Sequence, residues 1–394
     1  MTLLKRITSS TPPNWSICAS ILGVYIEPLF LSILLLKDFL NGRICQTKIL
    51  TLVALILLHG IVMSFFTGYS LMMTFSQSLL LLITLIGYNQ LYLRTGNDLK
   101  LWFDVYFKYA FFIAWIGIVD FLYFLIVGQS LFVLTLDLHE SVSDIPRLKS
   151  IMLEPGYVVT FLAPAVTCIF IKKGYFKCNK LKSSTIVLAF CLTLSTSMLM
   201  TFFIILLVKF YLFLKKYFLV FVVIAISLSG ILLLNLKNKD IEGEDNTTAI
   251  NKVVESLSIV GDATPYDFEM LNASSYSQLT NMWIAFHAPY RLIGTGLGTH
   301  SQNYESLYKS DFSLYGLNKH DAYSIFSRIL SEFGYIGILL YLLFLYKCYN
   351  KNNLYSTCFL VSIIGTFVRG GNYTIYCIAL FHFLYYHCRK VDIS

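Results

Sequence analysis

The feature that most constrains this chain is a series of unbroken apolar runs, each about 20 residues long, separated by short charged connectors. A run of that length crosses a hydrocarbon core about 30 Å thick. In lipid, only helices and closed barrels satisfy every backbone polar group, and unbroken runs favour helices over the alternating pattern of a barrel strand. Composition agrees, because 57% of the 394 residues are hydrophobic, 13% are charged and the mean hydropathy is +0.68. The sequence predicts an all-α, polytopic membrane bundle.

The chain contains about eleven candidate spans, within a range of about 10–12, when each run is matched to the thickness of a bilayer. Short connections divide the apolar stretch between residues 184 and 234 into three of these spans. The candidate spans are 15–36, 48–67, 72–92, 106–127, 151–171, 184–198, 199–214, 216–234, 322–346, 354–369 and 372–388.

Basic residues determine the expected orientation, because lysine and arginine are retained on the cytoplasmic side of a membrane. The connector 172–182 is the most basic of the connectors. The polar segment 236–320 carries six basic and ten acidic residues, a net charge of −4, so the rest of the chain carries +12. We therefore expect 236–320 to lie outside. An odd number of spans also places Lys5 and Arg6 outside, so either the first span is broken at 27–28 or the first ten residues are an exception to the rule.

The span pattern divides the chain into three regions. Membrane helices occupy residues 1–235 and include a short external segment at 128–150, a large external loop follows at 236–320, and further membrane helices occupy 321–394. Long loops in compact proteins are usually functional or disordered, and this loop is rich in tyrosine and contains a tryptophan. We expect it to fold as an external cap that completes an active site at one face of the membrane domain.

Two charged residues are expected where the external segment 128–150 meets the membrane. Proline disfavours helix at the residue before it, so Glu154, which precedes Pro155, is expected on a broken or re-entrant segment. Non-helical backbone at that depth survives only where it lines a cavity within the protein. Arg147 and Glu154 are therefore candidates to line a cavity.

A polar stripe is expected where the chain returns from the large loop to the membrane. On a helix, Asp321, Arg328 and Glu332 share one face, directly below His320. One interpretation is a buried ion pair between Arg328 and Glu332 that only stabilises packing. The other is that the stripe orients His320 and faces a wet cavity, because ionisable residues within spans usually face inward and have a function.

A series of short motifs follows the chain from residue 147 to residue 337. They are Arg147, Leu153-Glu154-Pro155-Gly156, Gly294-Thr295-Gly296-Leu297-Gly298, His320-Asp321-Ala322-Tyr323 and the segment 330–337. These motifs resemble the bacterial superfamily of O-antigen polymerases and O-antigen ligases, although many members have asparagine where this chain has Asp321. The resemblance covers approximately residues 147–345. It implies a GT-C-like helical domain with one large periplasmic loop, in the bacterial inner membrane, with the active site facing the periplasm.

The resemblance implies glycosyl transfer from an undecaprenyl diphosphate-linked oligosaccharide, without a metal or another cofactor. A diphosphate leaving group gains negative charge as the glycosidic bond breaks, and arginine binds such a group through bidentate contacts. We expect Arg147 and Arg291 to bind the diphosphate and to be catalytic, with Arg369 as a further candidate. The alternatives are a surface charge for Arg147 and an arginine that extends to the interface for Arg369.

The acceptor hydroxyl needs a proton acceptor that is active near neutral pH, which is the ordinary range of histidine. His320 is the expected general base, and His300 is the second candidate. The glycines at 294–298 permit a tight turn or a close approach of the backbone to sugar or diphosphate. They are not a nucleotide loop, because no strand precedes them. The expected substrate-binding residues are Glu154, Tyr157, Gly296, His300, Tyr323, Arg328, Glu332 and Arg369.

The function expected from this resemblance is that of a surface-polysaccharide polymerase of the O-antigen type. The alternatives are an O-antigen ligase and, from another class, a transporter or flippase for lipid-linked oligosaccharides. A flippase would predict two matching halves and no folded cap. The expected partners are the undecaprenyl diphosphate-linked oligosaccharide, the lipid bilayer, and a chain-length regulator and flippase of the same pathway, with no nucleic acid.

Overall fold

The computed structural model describes residue 29, residues 31–33, residue 35, residues 47–131, 147–152, 154–213, 263–374 and 377–390. Most of the first expected span, nearly all of the span at 216–234, the external residues 132–146 and the first part of the large loop lie outside these residues. The described residues are helical or irregular and contain no β-strand.

Twelve α-helices and one 3-10 helix, Asp267–Met270, have complete bounds in the described part of the chain, and the α-helices are numbered here in chain order. They are α1 (Thr47–Thr67), α2 (Leu71–Arg94), α3 (Leu99–Val127), α4 (Pro155–Ile171), α5 (Tyr175–Cys178), α6 (Lys180–Leu192), α7 (Thr196–Phe213), α8 (Ala273–His287), α9 (His300–Leu307), α10 (Ile325–Cys348), α11 (Leu354–Gly365) and α12 (Ile378–Cys388).

Four of these helices, α1, α2, α3 and α10, are long and apolar enough to cross a membrane. Shorter apolar helices are α4, most of α7 and α11. Large apolar side chains such as Leu55, Phe65 and Leu340 are exposed on α1 and α10, as expected of surfaces that face lipid. The chain is therefore a helical membrane protein.

Helix α4 lies at the centre of the bundle and packs against α3, α6, α7 and α11. It contains Pro164, which has no N–H to donate to the carbonyl of Thr160. The hydroxyl of Ser362 on α11 donates to that carbonyl instead, at 2.8 Å. The buried hydroxyl of Tyr106 on α3 donates to the next carbonyl, that of Phe161, at 2.5 Å. These bonds fix α4 and so position the residues at its first turn.

The first residues of α4 agree with the sequence prediction, whereas the first residues of α10 do not. Helix α4 begins at Pro155, and Glu154 precedes it in an extended conformation (φ −142°, ψ 150°), as the proline predicts. The expectation of a helix through 321–324 is wrong. Helix α10 begins only at Ile325, because Ala322 and Tyr323 adopt the left-handed conformation with φ of 58° and 62°.

Helix α10 is interrupted at Gly334, whose backbone (φ 64°, ψ −163°) favours glycine. The loop 291–296 satisfies the backbone groups that the interruption releases, because its amides donate to two carbonyls of α10 and its carbonyls accept from two amides. The four bonds are Thr295 N to Ser331 O at 3.3 Å, Gly296 N to Glu332 O at 2.8 Å, Tyr335 N to Arg291 O at 2.9 Å and Ile336 N to Leu292 O at 3.0 Å.

Two glycines permit this exchange. A Cβ atom on Gly294 would lie 2.3 Å from the backbone of Glu332, and one on Gly334 would lie 2.5 Å from the carbonyl oxygen of Arg291. The same loop also contacts α1, where a Cβ on Gly296 would lie 3.0 Å from the Cα of Gly60. The loop 291–296 therefore contacts both α10 and α1 through its backbone.

Residues 263–324, the described part of the segment predicted to be external, have their own small core of aromatic side chains. The hydroxyl of the buried Tyr276 lies 3.3 Å from that of Tyr304 and 3.2 Å from that of Tyr308. Tyr308 in turn donates to Glu269 Oε1 at 2.5 Å. Tyr276 lies on α8, and α8 packs against α10, which is the helix that carries Arg328.

Candidate functional site

Three segments meet where residues 263–324 contact the membrane helices. They are the start of α4, the end of 263–324 and the turn that follows α11. Their side chains form a group that we call the Arg369 cluster, which consists of Glu154, Tyr157, Asn318, Asp321, Tyr323 and Arg369.

The guanidinium of Arg369 is the centre of this cluster and is nearly enclosed, with 5% of the side chain exposed. Its Nε donates to Glu154 Oε2 at 2.9 Å, and its Nη2 donates to the same oxygen and to Asn318 Oδ1 at 3.5 Å. Its Cζ lies 4.2 Å from the ring centre of Tyr323 and 5.4 Å from that of Tyr157. The aromatic rings and the ion pair therefore fix both the position and the orientation of the cation.

The ion pair is incomplete on both sides. Arg369 Nη1 is buried and has no hydrogen-bond acceptor among the described residues. Glu154 uses one oxygen for both bonds, although a carboxylate and a guanidinium can form two parallel bonds with two oxygens. The Glu154 side chain is also 41% exposed, in contrast to the arginine. The cluster thus presents a rigid cation whose counter-ion is open to solvent.

A second carboxylate, Asp321, completes the cluster. Its Oδ2 accepts a hydrogen bond from the hydroxyl of Tyr157 at 2.7 Å, and its Oδ1 accepts one from the backbone N–H of Tyr323 at 3.1 Å. The hydroxyl of Tyr323 lies 2.9 Å from that of Ser274 on α8. Both rings that flank Arg369 are therefore oriented by their hydroxyl groups.

The backbone around this cluster is strained in the sense that two successive residues without the freedom of glycine, Ala322 and Tyr323, have positive φ. The turn after α11 stabilises them, because Gly370 N donates to Tyr323 O at 3.0 Å. Gly371 packs so closely that a Cβ atom would lie 1.5 Å from the carbonyl oxygen of Asp321. The Gly-Gly sequence after Arg369 is thus required for the approach of the two segments.

A second arginine–glutamate pair lies next to this cluster and is fully enclosed. Arg328 Nε donates to Glu332 Oε1 at 3.1 Å, and both side chains are buried. Arg328 Nη1 donates to the carbonyl of Gly371 at 3.0 Å, and Nη2 donates to Gln77 Oε1 at 3.4 Å. Glu332 Oε2 accepts from the hydroxyl of Tyr373 at 3.0 Å. We call this group the Arg328 cluster, and it matches the buried ion pair that was one of the two expectations for the stripe.

His300 is buried beside the Arg328 cluster. Its Nε2 lies 3.0 Å from Asn281 Oδ1, so that nitrogen carries the proton in the neutral ring. Burial, together with the positive charges of Arg328 and His320, lowers the pKa of His300 to about 3. A histidine with so low a pKa is neutral at pH 7 and is a weak proton acceptor. Its burial therefore argues against His300 as a general base.

The other expected site residues fall into two groups. His320, Arg147 and Arg291 are exposed, and their side chains form no hydrogen bond or ion pair with another described residue. His320 directly precedes Asp321 of the Arg369 cluster. Gly296 packs against Gly60 of α1 and is buried. The structure therefore brings Glu154, Tyr157, Tyr323 and Arg369 together, and it places Arg328 and Glu332 in the neighbouring cluster.

Sequence reasoning missed Asn318, Gln77 and Tyr373, and it placed Asp321 in the polar stripe without naming it as a site residue. Asn318 is a short polar residue in a polar loop and carried no distinguishing pattern. Gln77 is different, because it is an amide within an otherwise apolar run on α2. A polar side chain in such a run usually faces the interior of the bundle, so that signal was present in the sequence.

No protein-family model matches this chain, and a comparison with curated proteins found no significant similarity. The functional argument therefore depends on the geometry of the two clusters and on the short motifs of the sequence.

Proposed function

We propose that this protein is a membrane glycosyltransferase that polymerises a surface polysaccharide of the O-antigen type from a lipid diphosphate-linked oligosaccharide. The observation that carries the proposal is the Arg369 cluster, in which a buried guanidinium lies between two tyrosine rings. Its Nη1 atom has no acceptor among the described residues, and the side chain of its counter-ion is 41% exposed. It lies at the junction of the membrane helices and the external region. A diphosphate on a membrane-bound carrier would reach the protein at such a level.

In this mechanism the chain's own groups supply binding and orientation. Arg369 receives the negative charge that develops on the diphosphate as the bond to the sugar breaks, and a preformed donor in an enclosed site does so without reorganisation. The rings of Tyr157 and Tyr323 keep the guanidinium in one plane, and Asn318 orients one of its nitrogens. Arg147 and Arg291, both exposed, are the proposed additional cations for the distal phosphate.

His320 is the proposed acceptor of the proton from the attacking hydroxyl. It is exposed and directly precedes Asp321, so a sugar bound over the Arg369 cluster would be near the imidazole. The hydroxyl oxygen bonds to the anomeric carbon of the donor, its proton goes to His320, and the bonding electrons leave with the diphosphate. This assignment of roles rests on position, on the ordinary protonation range of histidine and on the resemblance.

The rest of the proposal concerns the setting of the reaction. Basic connectors on one side and a net charge of −4 in 236–320 favour a cytoplasmic location for the former and a periplasmic location for the cap. We propose an inner-membrane protein of about eleven spans with a GT-C-like arrangement, in line with runs that match a bilayer. Its proposed partners are the undecaprenyl diphosphate-linked oligosaccharide and a chain-length regulator and flippase of the same pathway.

The proposal is tested by analysis of the glycans in a deletion strain that carries variants of this chain. Loss of a polymerase leaves single repeat units on the acceptor, whereas loss of a ligase strands long chains on the lipid carrier and loss of a flippase traps units facing the cytoplasm. Arg369→Ala should abolish chain growth at an unchanged protein level, and Arg369→Lys should restore little because lysine lacks the planar fork.

Arg389→Ala provides the matched control for that experiment. Arg389 also stacks on a tyrosine, with Cζ 3.9 Å from the ring centre of Tyr386, but it lies outside both clusters. We expect normal chain lengths from this variant. Normal chains from Arg369→Ala, in a strain where deletion of the whole chain abolishes them, would remove the Arg369 cluster from the mechanism.

A further inference from the structure

The Glu154–Arg369 pair has features of an ion pair that is built to open. Its two members differ strongly in exposure, because the arginine side chain is 5% exposed and the glutamate side chain is 41% exposed. Arg369 is held by two rings and by Asn318, whereas no other hydrogen bond of the Glu154 carboxylate appears among the described residues. Any opening of the pair would therefore move the glutamate and leave the arginine in place.

The geometry also leaves room for a better anion. One carboxylate oxygen, Glu154 Oε2, accepts from both Nε and Nη2, and Nη1 has no acceptor among the described residues. A diphosphate linked at both ends presents two terminal oxygens on each phosphorus, and these could accept from two nitrogens in parallel while another oxygen approaches Nη1. Exchange of the carboxylate for a phosphate would therefore satisfy a buried donor that the ion pair does not satisfy.

A released Glu154 has an alternative position close by. It precedes the first turn of α4, and its side chain makes no capping bond with that helix. Pro155 has no N–H, and the Tyr157 N–H donates to the carbonyl of Glu154 at 3.1 Å. The Gly156 N–H is therefore the donor at this end of α4, where the helix dipole also favours a negative charge. Rotation of the side chain could thus move the carboxylate from the guanidinium to the end of α4 without any change in the backbone.

We propose that Glu154 is a displaceable counter-ion, which occupies the anion-binding face of Arg369 in the absence of substrate and is exchanged for the diphosphate of an isoprenoid carrier when the carrier binds. This inference rests on the proposed function and specifies how the same site is controlled. The carboxylate keeps the buried cation neutralised and makes the site selective for an anion that can compete with it. A singly charged carboxylate or a small inorganic anion competes less well than a diphosphate.

The test measures binding of farnesyl diphosphate to the purified full chain in detergent, with inorganic pyrophosphate and farnesol as probes that lack the tail or the phosphates. Glu154→Gln removes the competing charge and keeps the shape of the side chain. We expect it to raise the affinity for farnesyl diphosphate and for pyrophosphate by about tenfold, which corresponds to about 1.4 kcal/mol, and to leave farnesol unaffected. Arg369→Ala should abolish binding of both phosphates.

Glu305→Gln is the matched control, because it neutralises the glutamate of an ion pair with Lys319 that lies outside both clusters. We expect it to leave the affinity for farnesyl diphosphate unraised. A second measurement uses the wild-type chain and so does not depend on the folding of a variant. Carbodiimide labelling of carboxyl groups, read by mass spectrometry, should increase at Glu154 when farnesyl diphosphate is added and should not change with farnesol.

The outcomes separate this inference from the proposed function. If the wild-type chain binds farnesyl diphosphate through Arg369, but Glu154→Gln binds it equally or more weakly and labelling of Glu154 does not rise, the displaceable counter-ion is refuted and the glycosyltransferase proposal survives. If the wild-type chain binds neither farnesyl diphosphate nor pyrophosphate, both proposals fail. Tighter binding by Glu154→Gln together with increased labelling supports the exchange.

Discussion

The two arginine–glutamate pairs described here use the same residue types in neighbouring clusters, yet they differ in burial and in the number of hydrogen bonds they form. Each guanidinium stacks on a tyrosine, at 4.3 Å for Arg328 over Tyr373 and at 4.2 Å for Arg369 over Tyr323. The carboxylate of Glu332 is fully buried, whereas the Glu154 side chain is 41% exposed. The first pair is closed, and the second is open on one side.

The two pairs also differ in how completely their nitrogen and oxygen atoms are hydrogen-bonded. All three nitrogens of Arg328 have acceptors, and each oxygen of Glu332 has its own donor. Arg369 has an Nη1 atom without an acceptor among the described residues, and Glu154 uses one oxygen twice. A buried, fully paired network specifies a packing arrangement, whereas an incomplete one leaves donors for a ligand. The comparison teaches that completeness of hydrogen bonding, more than residue type, distinguishes a structural pair from a candidate binding site.

The largest effect that separates the two pairs should be on stability. Glu332→Gln leaves Arg328 as a buried cation without a counter-ion, and removal of one partner of such a pair costs roughly 3–5 kcal/mol. Glu154→Gln removes a carboxylate that is 41% exposed, and the charge of Asp321 still stabilises the cation of Arg369, so we expect a loss of only about 1 kcal/mol. The free energy of unfolding is measured by titration with SDS in mixed micelles. Equal losses for the two variants would break the distinction between a closed and an open pair.

A second variant tests whether the closed pair depends on the interruption of α10 near it. Gly334→Ala places a methyl group 2.5 Å from the carbonyl oxygen of Arg291 and forces alanine into a conformation that favours glycine. Strain of this kind costs of the order of 1–3 kcal/mol. Gly365→Ala on α11 is a milder control, because the nearest atom to its Cβ would be the hydroxyl oxygen of Thr201 at 3.3 Å. A loss no greater than that of the control would mean that the interruption contributes nothing to the stability of the Arg328 cluster.

The smallest expected effect is a dependence of stability on pH that arises from His300, which is buried beside the Arg328 cluster. The pKa of His300 is lowered to about 3 in the folded protein, so the unfolded chain binds the proton more readily and stability falls as the pH decreases below about 6.5. Between pH 6.5 and pH 5.5 this group should account for about 1 kcal/mol. His300→Gln should remove that part of the slope in SDS titrations at the two pH values. An unchanged slope would show that protonation of His300 is not coupled to unfolding.

Local rules predicted the parts of this structure that depend on neighbours in the sequence. Proline at 155 indicated the start of α4 and the extended conformation of Glu154, and the spacing of Arg328 and Glu332 indicated their ion pair. Apolar runs indicated the long helices. The regular pattern of 321–332 failed as a helix prediction at its first turn, because the contact with Gly371 and the left-handed backbone at 322–323 have no local signature.

The central contact of the candidate site could not be predicted from the sequence. Glu154 and Arg369 are separated by 215 positions, and each was predicted as a substrate-binding residue but not as the partner of the other. Their meeting depends on the packing of α4 against α11, and fourteen of the seventeen residues of α4 are buried among its neighbouring helices. Which of several scattered arginines lies beside which carboxylate is decided by that packing, and a single sequence carries no direct record of it.

The exchange of backbone hydrogen bonds between the loop 291–296 and α10 has a consequence for biosynthesis. The loop leaves the ribosome before α10 does, whereas the face of α1 and α2 on which it rests was inserted more than 200 residues earlier. Until the loop and α10 have met, the carbonyls of Ser331 and Glu332 lack the donors that the loop supplies. Final docking of these parts must therefore come late in assembly, and two separately expressed fragments should recombine only if the loop and α10 remain on the same fragment.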